Sequence, residues 1–218
     1  ILLPLLAAFL YWLFVTTEGT FLGRRVVVWL YDIMADKYDG IKEYDDESET
    51  FFVIRPLMHH LRHERAPRVL DVATGTGRMP HYLLAEPTFN GRVFGLDPAR
   101  KMLAHANPKT KPYHQRAGLV QATAVPLPFP DDTFHAITCL EALEFLPDIE
   151  AALREMVRTL KPGGVLMVSR RLGKEAKLFL NKYQSAEEII ALLEGMGLVE
   201  VNTQPWQVDY EQVFGKKV

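Results

Sequence analysis

A carboxylate followed by small residues and two glycines, Asp71-Val-Ala-Thr-Gly-Thr-Gly77, is the stretch of this sequence best suited to meeting a ligand. It follows the apolar pair Val69-Leu70 and leads into a helical pattern from Arg78 to Leu84. A strand, a glycine-rich turn and a helix N-terminus together present bare backbone N–H groups to a bound molecule. A second carboxylate, Asp97, stands twenty positions after Gly77 at the end of the apolar run Gly91–Leu96. A carboxylate at such a strand end can accept hydrogen bonds from two neighbouring hydroxyls. Glu141 and Glu144 follow a further apolar run, Phe134–Cys139. They are the candidate general bases for a reaction whose acceptor must lose a proton, and equally candidates for helix-start carboxylates. Tyr31 and His59 are weaker candidates for the same role. His59, His60 and His63 share one probable helix, and no Cys/His cluster has metal-ligand spacing, so no metal is expected.

The elements that must position these groups alternate regularly from residue 68 onward. Strands are expected over Arg68–Val72, Gly91–Leu96, Gly118–Ala122, Phe134–Cys139 and Val165–Arg170, with two more over Leu198–Thr203 and Asp209–Gly215. Helices fall between them over Arg78–Ala85, Ala99–Ala106, Ile149–Leu160 and Ser185–Gly195, the last opening with Ser185 and Glu188 at capping-box spacing. This alternation gives an α/β chain, a Rossmann-like, seven-stranded and mainly parallel sheet with helices on both faces. Upstream, Val27, Leu30, Tyr31, Met34 and Tyr38 recur at helical spacing, predicting an amphipathic helix from Arg24 to Tyr38 that Asp39-Gly40 ends and that lies on the sheet. The acidic stretch Glu43–Glu49 reads as a solvated linker or helix start, and Phe51–Arg62 as a further helix.

Composition narrows the function classes. Hydrophobic residues are 48% and charged residues 24% of the chain, an ordinary globular balance, and a net charge of −2 gives no basic field for nucleic acid. The single cysteine, Cys139, rules out an internal disulfide framework and fits a reducing compartment. The first seventeen residues depart from this balance: they carry no charge and are mostly Leu, Ala and aromatic. As one helix they would reach about 25 Å, slightly short of a bilayer core. Arg24 and Arg25 follow, which favours a cytoplasmic location for the rest of the chain. A membrane anchor or monotopic attachment is the leading expectation. A helix packed on the domain or on a second copy, and a signal peptide, are the alternatives. The division expected is therefore 1–23 as apolar segment, 24–67 as helical cap and 68–218 as the α/β domain, with the oligomeric state open.

The glycine loop fits two families unequally. A dinucleotide-binding turn needs a third glycine for close helix packing, and counting from Gly75 that position is Pro80, while counting from Ala73 it is Arg78. A nicotinamide-dependent oxidoreductase is thus disfavoured. The loop instead resembles the first motif of the class I S-adenosylmethionine-dependent methyltransferases, Asp/Glu-x-Gly-x-Gly-x-Gly, with Ala73 in place of the first glycine. Ala there is expected to be tolerated because that position should not need a positive φ. Three further blocks fit in order: Asp97; Ala122-Thr-Ala-Val-Pro-Leu-Pro-Phe-Pro-Asp-Asp-Thr-Phe134; and Leu146-Pro-Asp148 with Leu160-Lys-Pro-Gly-Gly164. Within the superfamily, Tyr31-Asp-Ile-Met-Ala-Asp-Lys-Tyr-Asp39 is similar to the N-terminal helix of the methyltransferase type 11, quinone and sterol C-methyltransferase branch.

The resemblance implies a cofactor, S-adenosylmethionine, with S-adenosylhomocysteine as product. It implies that Asp71 orients the loop and the methionine amine, that Gly75 and Gly77 let backbone pass close to the nucleoside, and that Ala73 and Thr74 complete the turn. Asp97 would hold the ribose, Pro98 and Met102 would lie beside the adenine, and Ala122, Thr123 and Ala124 would flank the ring. Leu140 would lie under the sulfonium side and Tyr38 would bond the methionine carboxylate. Thr123 stands where the family usually has the Asp that receives the adenine amino group, and Glu144-Phe145 where quinone methyltransferases carry Arg-Asn. The acceptor expected is small and lipophilic, reached at or near a membrane. A non-catalytic scaffold that keeps the fold is the other class of reading.

Overall fold

The computed structural model describes residues 2–42 and 45–218. Glu43 and Tyr44, within the acidic stretch, lie outside the described residues. Helix α1 (Leu2–Tyr11) runs into a π-helical turn at Trp12–Thr16, and α2 (Arg24–Lys42) follows. Next come α3 (Asp46–Glu49), a second π turn at Thr50–Ile54 and α4 (Arg55–Leu61). The alternating part is β1 (Arg68–Val72), α5 (Arg78–Ala85), β2 (Arg92–Asp97), α6 (Arg100–Thr110), β3 (Ala117–Gln121), β4 (Phe134–Cys139), α7 (Ile149–Thr159) and β5 (Leu160–Arg171). The chain closes with α8 (Gly173–Ala176), α9 (Ala186–Gly195), β6 (Leu198–Pro205) and β7 (Tyr210–Lys217).

The seven strands form one sheet in the order β3-β2-β1-β4-β5-β7-β6. Strands β1 to β5 pair in parallel, and β7 runs antiparallel between β5 and β6. Successive residues of the central strands enter opposite cores. Leu70, Ile137 and Leu166 pack with α7 and α9 on one face; Val69, Ala136 and Val165 pack with α4 and α5 on the other. Burying each such aliphatic side chain is worth about 1.5–3 kcal/mol, which is why the central strands read as continuous apolar runs. The strand order reverses between β1 and β4, so a crevice opens at the carboxyl ends of β1, β2 and β4.

Three expectations need correction. Helix α2 does not end at Asp39-Gly40 and lies against α6 rather than flat on the sheet. Its acids sit one helical turn apart and meet α6 in register: Asp32 accepts from the Lys101 N–H at 2.8 Å, Asp36 faces His105 at 2.9 Å, and Asp39 faces Lys109 at 2.6 Å. Exposed pairs of this kind contribute at most about 1 kcal/mol each, so they set register more than stability. Strand β5 begins at Leu160 rather than Val165, because Gly164 lets it approach β4: a Cβ there would lie 3.0 Å from the His135 carbonyl. The apolar N-terminal segment departs from one regular helix: it is α-helical over Leu2–Tyr11 and continues as the π-helical turn Trp12–Thr16, and among the described residues no helix is long and apolar enough to cross a membrane.

The chain after α1 turns back on the molecule. The Thr17 hydroxyl donates to the Trp12 and Leu13 carbonyls, and Glu18 and Gly19 adopt left-handed backbone at φ 49° and 72°. A Cβ on Gly19 would lie 2.9 Å from Leu30 of α2, so this turn is seated against that helix. Trp12 stacks on Phe21 at 5.2 Å and its indole N–H donates to the Leu178 carbonyl. At the other end, Ser185 caps α9 with the expected capping box to Glu188.

Candidate active site

The glycine loop takes its shape from three left-handed residues, Ala73, Gly75 and Gly77, at φ 57°, 54° and 79°. Ala73 therefore does occupy a conformation that favours glycine, contrary to expectation, at a cost of about 1–2 kcal/mol. What holds it there is its surroundings. The Thr74 N–H donates to the Leu96 carbonyl at 3.0 Å, and the Thr74 hydroxyl donates to Asp71 at 2.6 Å. The second Asp71 oxygen accepts from the Thr138 hydroxyl, also at 2.6 Å. Burial raises the Asp71 pKa to about 6, opposed by those two hydroxyls. Gly77 serves packing: a Cβ there would meet Ala106 of α6 at 2.9 Å.

Asp97 sits at the mouth of β2 with each carboxylate oxygen accepting one backbone N–H, from Gly75 and from Ala99, both at 2.8 Å. It is 7% exposed, and no ammonium or guanidinium pairs with it among the described residues. Burial pushes its pKa up to about 6 against those two N–H bonds, and the nearby Asp71 charge adds to the rise.

A cavity of about 310 Å³ opens over these groups. Of the residues expected in the site, Tyr38, Ala73, Gly75, Asp97, Pro98, Thr123, Ala124, Leu140 and Glu141 form its wall. Asp71 and Thr74 instead border a small recess beside it, together with Tyr38, Gly75 and Leu140. Gly77 borders neither. Met102 is fully buried beneath the site, packed with Ala35 and Ala99, and is not on the cavity wall, a correction to the role the resemblance implies for it. The Thr123 hydroxyl donates to the Val125 carbonyl at 2.9 Å, which leaves its oxygen able to accept one further bond. Wall residues that sequence reasoning missed include Arg24, Val28, Phe145, Leu146 and Asp148. The Leu146-Pro-Asp148 block is a visible signal for Leu146 and Asp148, and the Glu144-Phe145 pair for Phe145; Val28 falls off the Val27–Tyr38 stripe, and Arg24 reads in sequence only as a flanking charge.

A second chamber, of about 510 Å³, shares Tyr31, Tyr38, Glu141 and Phe145 with the first. Tyr31 stacks edge-on against Phe145 at 5.9 Å, forming part of this common wall. The two candidate bases fare differently from expectation. Glu141 accepts from Lys42 at 2.6 Å, from Arg78 at 2.7 Å and from Gln207 at 3.2 Å. Although burial acts to raise it, the Arg78 and Lys42 cations hold its pKa down to about 2, so it is a poor proton acceptor near neutrality. Glu144 borders neither space. Its carboxylate accepts from the Tyr210 hydroxyl at 2.6 Å, and burial raises its pKa. His59 donates or accepts only toward Arg62 on its own helix end. Among the described residues no group of three or more His, Cys, Asp or Glu could hold a metal ion.

Comparisons with known proteins agree with this geometry. Residues 70–168 match the family described as "Methyltransferase domain". A demethylmenaquinone methyltransferase of Lysinibacillus sphaericus is 37% identical over 138 residues, covering 63% of this chain and 58% of the relative. A ubiquinone/menaquinone biosynthesis C-methyltransferase of Geobacter sulfurreducens is 33% identical over 125 residues, covering 56% of this chain and 49% of the relative. The chain thus spans only about half the length of the curated relatives it matches. Among solved structures, a SAM-dependent methyltransferase from Aquifex aeolicus superposes with a TM-score of 0.64 at 23% identity, covering 82% of this chain and 97% of that one. The [4+2]-cyclase SpnF superposes with a TM-score of 0.70 at 17% identity, covering 88% and 94%. These last two likenesses concern the fold, and the cyclase shows that the fold by itself does not fix the reaction.

Proposed function

We propose that this chain, whose residues 70–168 match the methyltransferase domain family, transfers a methyl group from S-adenosylmethionine to a lipophilic, quinone-type acceptor. The observation that carries the donor half is Asp97: a buried carboxylate facing the 310 Å³ cavity, held by two backbone N–H groups and left without a cationic partner among the described residues. Two ribose hydroxyls are the donors that such a carboxylate lacks. The site fits the cofactor in other respects as well. Ala73 and Gly75 bring backbone to the wall, Thr123 offers one acceptor, and Leu140 supplies apolar surface. Tyr38 and Arg24, on the same wall, are the polar groups suited to a carboxylate.

Bound there, S-adenosylmethionine supplies an electrophilic methyl on a sulfonium, and the hard chemistry is its own. The protein's part is to orient, to keep the cavity dry and to admit the acceptor in line. Asp97 fixes the donor's position, and the Thr74–Asp71–Thr138 hydrogen bonds fix the loop that Asp97 depends on. Tyr31 and Phe145, shared by both spaces, form the wall across which the transfer takes place. The names of the relatives support a quinone-type acceptor; Phe145, on the wall of both spaces where quinone methyltransferases carry Asn, marks where this chain's acceptor contacts differ, whereas Glu144 borders neither space. The family match leaves the nicotinamide reading without support. Methyl-labelled S-adenosylmethionine, incubated with the protein and reduced demethylmenaquinone, should put label into the naphthoquinol. Cofactor binding without any such transfer would contradict the acceptor assignment.

We further propose that the protein works at a membrane surface. Leu2, Leu3, Leu6, Phe9 and Leu10 of α1 are all exposed, and Trp29 and Ile33 of α2 are exposed too. Arg25, exposed at the start of α2, adds a positive charge, a combination suited to an interfacial helix near anionic headgroups rather than to a span. The protein should pellet with phosphatidylglycerol vesicles, and Leu6→Glu with Phe9→Glu should release it. Equal pelleting of both forms, or none by the parent, would overturn this.

A further inference from the structure

We propose that Glu18, placed by the Thr17–Thr20 turn in the wall of the 510 Å³ chamber, is the base that takes the acceptor's hydroxyl proton. The assignment rests on the quinone-type reading above. Because Tyr31, Tyr38, Glu141 and Phe145 border both spaces, an acceptor reaching the donor cavity from the chamber meets these four side chains. Phe52, Trp206 and Tyr210 add ring surface suited to a flat aromatic acceptor.

Five carboxylates line the chamber, Glu18, Asp45, Glu49, Glu141 and Asp209, against two cations, Lys42 and Arg171. That excess of negative charge disfavours an anionic acceptor and accommodates a neutral hydroquinone. Most of these carboxylates are already committed. Glu141 is locked between Lys42 and Arg78, Glu49 is buried against Arg78 at 3.5 Å, and Asp45 caps the Ser48 N–H. Asp209 is exposed beside Val208 on the turn before β7. Glu18 stands beside the Tyr31 phenol, which belongs to the shared wall. Burial, reinforced by the Glu18 charge, holds that phenol well above its ordinary pKa, so Tyr31 stays a donor that orients the carboxylate and is not itself the base. The other groups that feel the Glu18 charge are Glu144 and, as the counter-cation, Arg171. The left-handed backbone at Glu18, φ 49°, and at Gly19, φ 72°, is what turns the chain here, with Thr17 and Gly19 anchored to Trp12 and Leu13. The N-terminal segment thereby becomes part of the acceptor site.

The proton balance is complete with these groups. Glu18 takes the hydroquinone O–H proton, and the released electron pair pushes density to the ring carbon. That carbon forms the new C–C bond to the methyl as the S–CH₃ bond breaks, its electron pair going to sulfur. The ring C–H proton then leaves to water, the Glu18 proton returns to the oxygen, and one proton is released overall. No oxidant or reductant is consumed.

The test uses the whole chain with S-adenosylmethionine and short-tailed, reduced demethylmenaquinone. Glu18→Gln should lower kcat by about 10²–10⁴-fold, with KM for the quinol changed by no more than about threefold. Glu18→Asp should recover part of the rate. In Glu18→Gln the rate should climb steadily with pH as hydroxide replaces the missing carboxylate, whereas the parent should level off. Calorimetric affinity for S-adenosylhomocysteine should be the same in both. A Glu18→Gln variant at the parent rate would overturn the assignment while leaving the quinone reading standing. Joint loss of rate and S-adenosylhomocysteine binding would assign Glu18 a structural role instead. No transfer by the parent would remove the quinone reading and the base assignment with it.

Discussion

The two spaces that meet at Tyr31, Tyr38, Glu141 and Phe145 are held by different forces. The donor cavity is framed by strand ends, and the carboxylates at the ends of β1 and β2 are satisfied by hydroxyls and backbone N–H groups: Asp71, in the recess beside it, by Thr74 and Thr138, and Asp97, on its wall, by Gly75 and Ala99. Both carboxylates are pushed up to about 6 by burial. The chamber is framed by helices and loops and pinned by ion pairs, with Glu141 held down to about 2 by Arg78 and Lys42. A carboxylate bound only by neutral donors still has capacity for a ligand's hydroxyls. One clamped by two cations has spent that capacity on structure. The comparison therefore separates a site that binds from a strut that shapes.

The largest effect that could break this distinction comes from the strut. Arg78→Met removes the buried cation that Glu141 and Glu49 share, and should cost about 3–5 kcal/mol in urea denaturation, since among the described residues Glu49 is left without a cation and Glu141 with Lys42 alone. A loss below about 1 kcal/mol would mean that the pair contributes as little as a surface pair and that the contrast is wrong.

A smaller effect sharpens the other side. Folding raises Asp71 and Asp97 from 3.8 to about 6, so the folded state holds more protons than the unfolded one between those values. Their contribution to stability is fully present below the unfolded value and is lost as pH rises through about 6. Donor binding runs the opposite way, because ribose hydroxyls need the ionised Asp97. S-adenosylhomocysteine affinity, measured by calorimetry, should be flat above pH 7 and weaken by up to about tenfold per pH unit below 6. A flat profile down to pH 5 would show that the ligand does not rely on a carboxylate with a raised pKa.

The same contrast explains what was legible in the sequence. The donor cavity is assembled from short contiguous pieces, each with a local reason for its composition: an apolar strand, small residues at 73, 75 and 77, an acid at a strand end. Strand and helix alternation fixed the sheet for the same reason, and β1, β4 and the α9 cap fall where periodicity and Ser185 predicted them. The chamber draws on Glu18, α2, Glu49, Arg171 and the Trp206–Tyr210 turn, which no sequence spacing connects. The misreadings have the same origin. Glu141 looked like a base because Arg78 and Lys42 are far from it in sequence, and Asp39 looked like a helix stop because its partners Thr76 and Lys109 lie in other elements. Met102 looked like a wall residue although α2 covers it. Ala73 was the subtler error: its left-handed backbone is imposed by the loop around it, not by its own preference.

The central claim is that the 310 Å³ cavity is a methyl-donor site anchored by Asp97. Isothermal calorimetry of S-adenosylhomocysteine at pH 7.5, on the parent chain and on Asp97→Ala, tests it most directly. The parent should bind, and the variant should lose affinity by about 100-fold or more, since two hydrogen bonds to a buried charge are removed together. A parent chain that shows no binding, or a variant that binds as tightly as the parent, would contradict it.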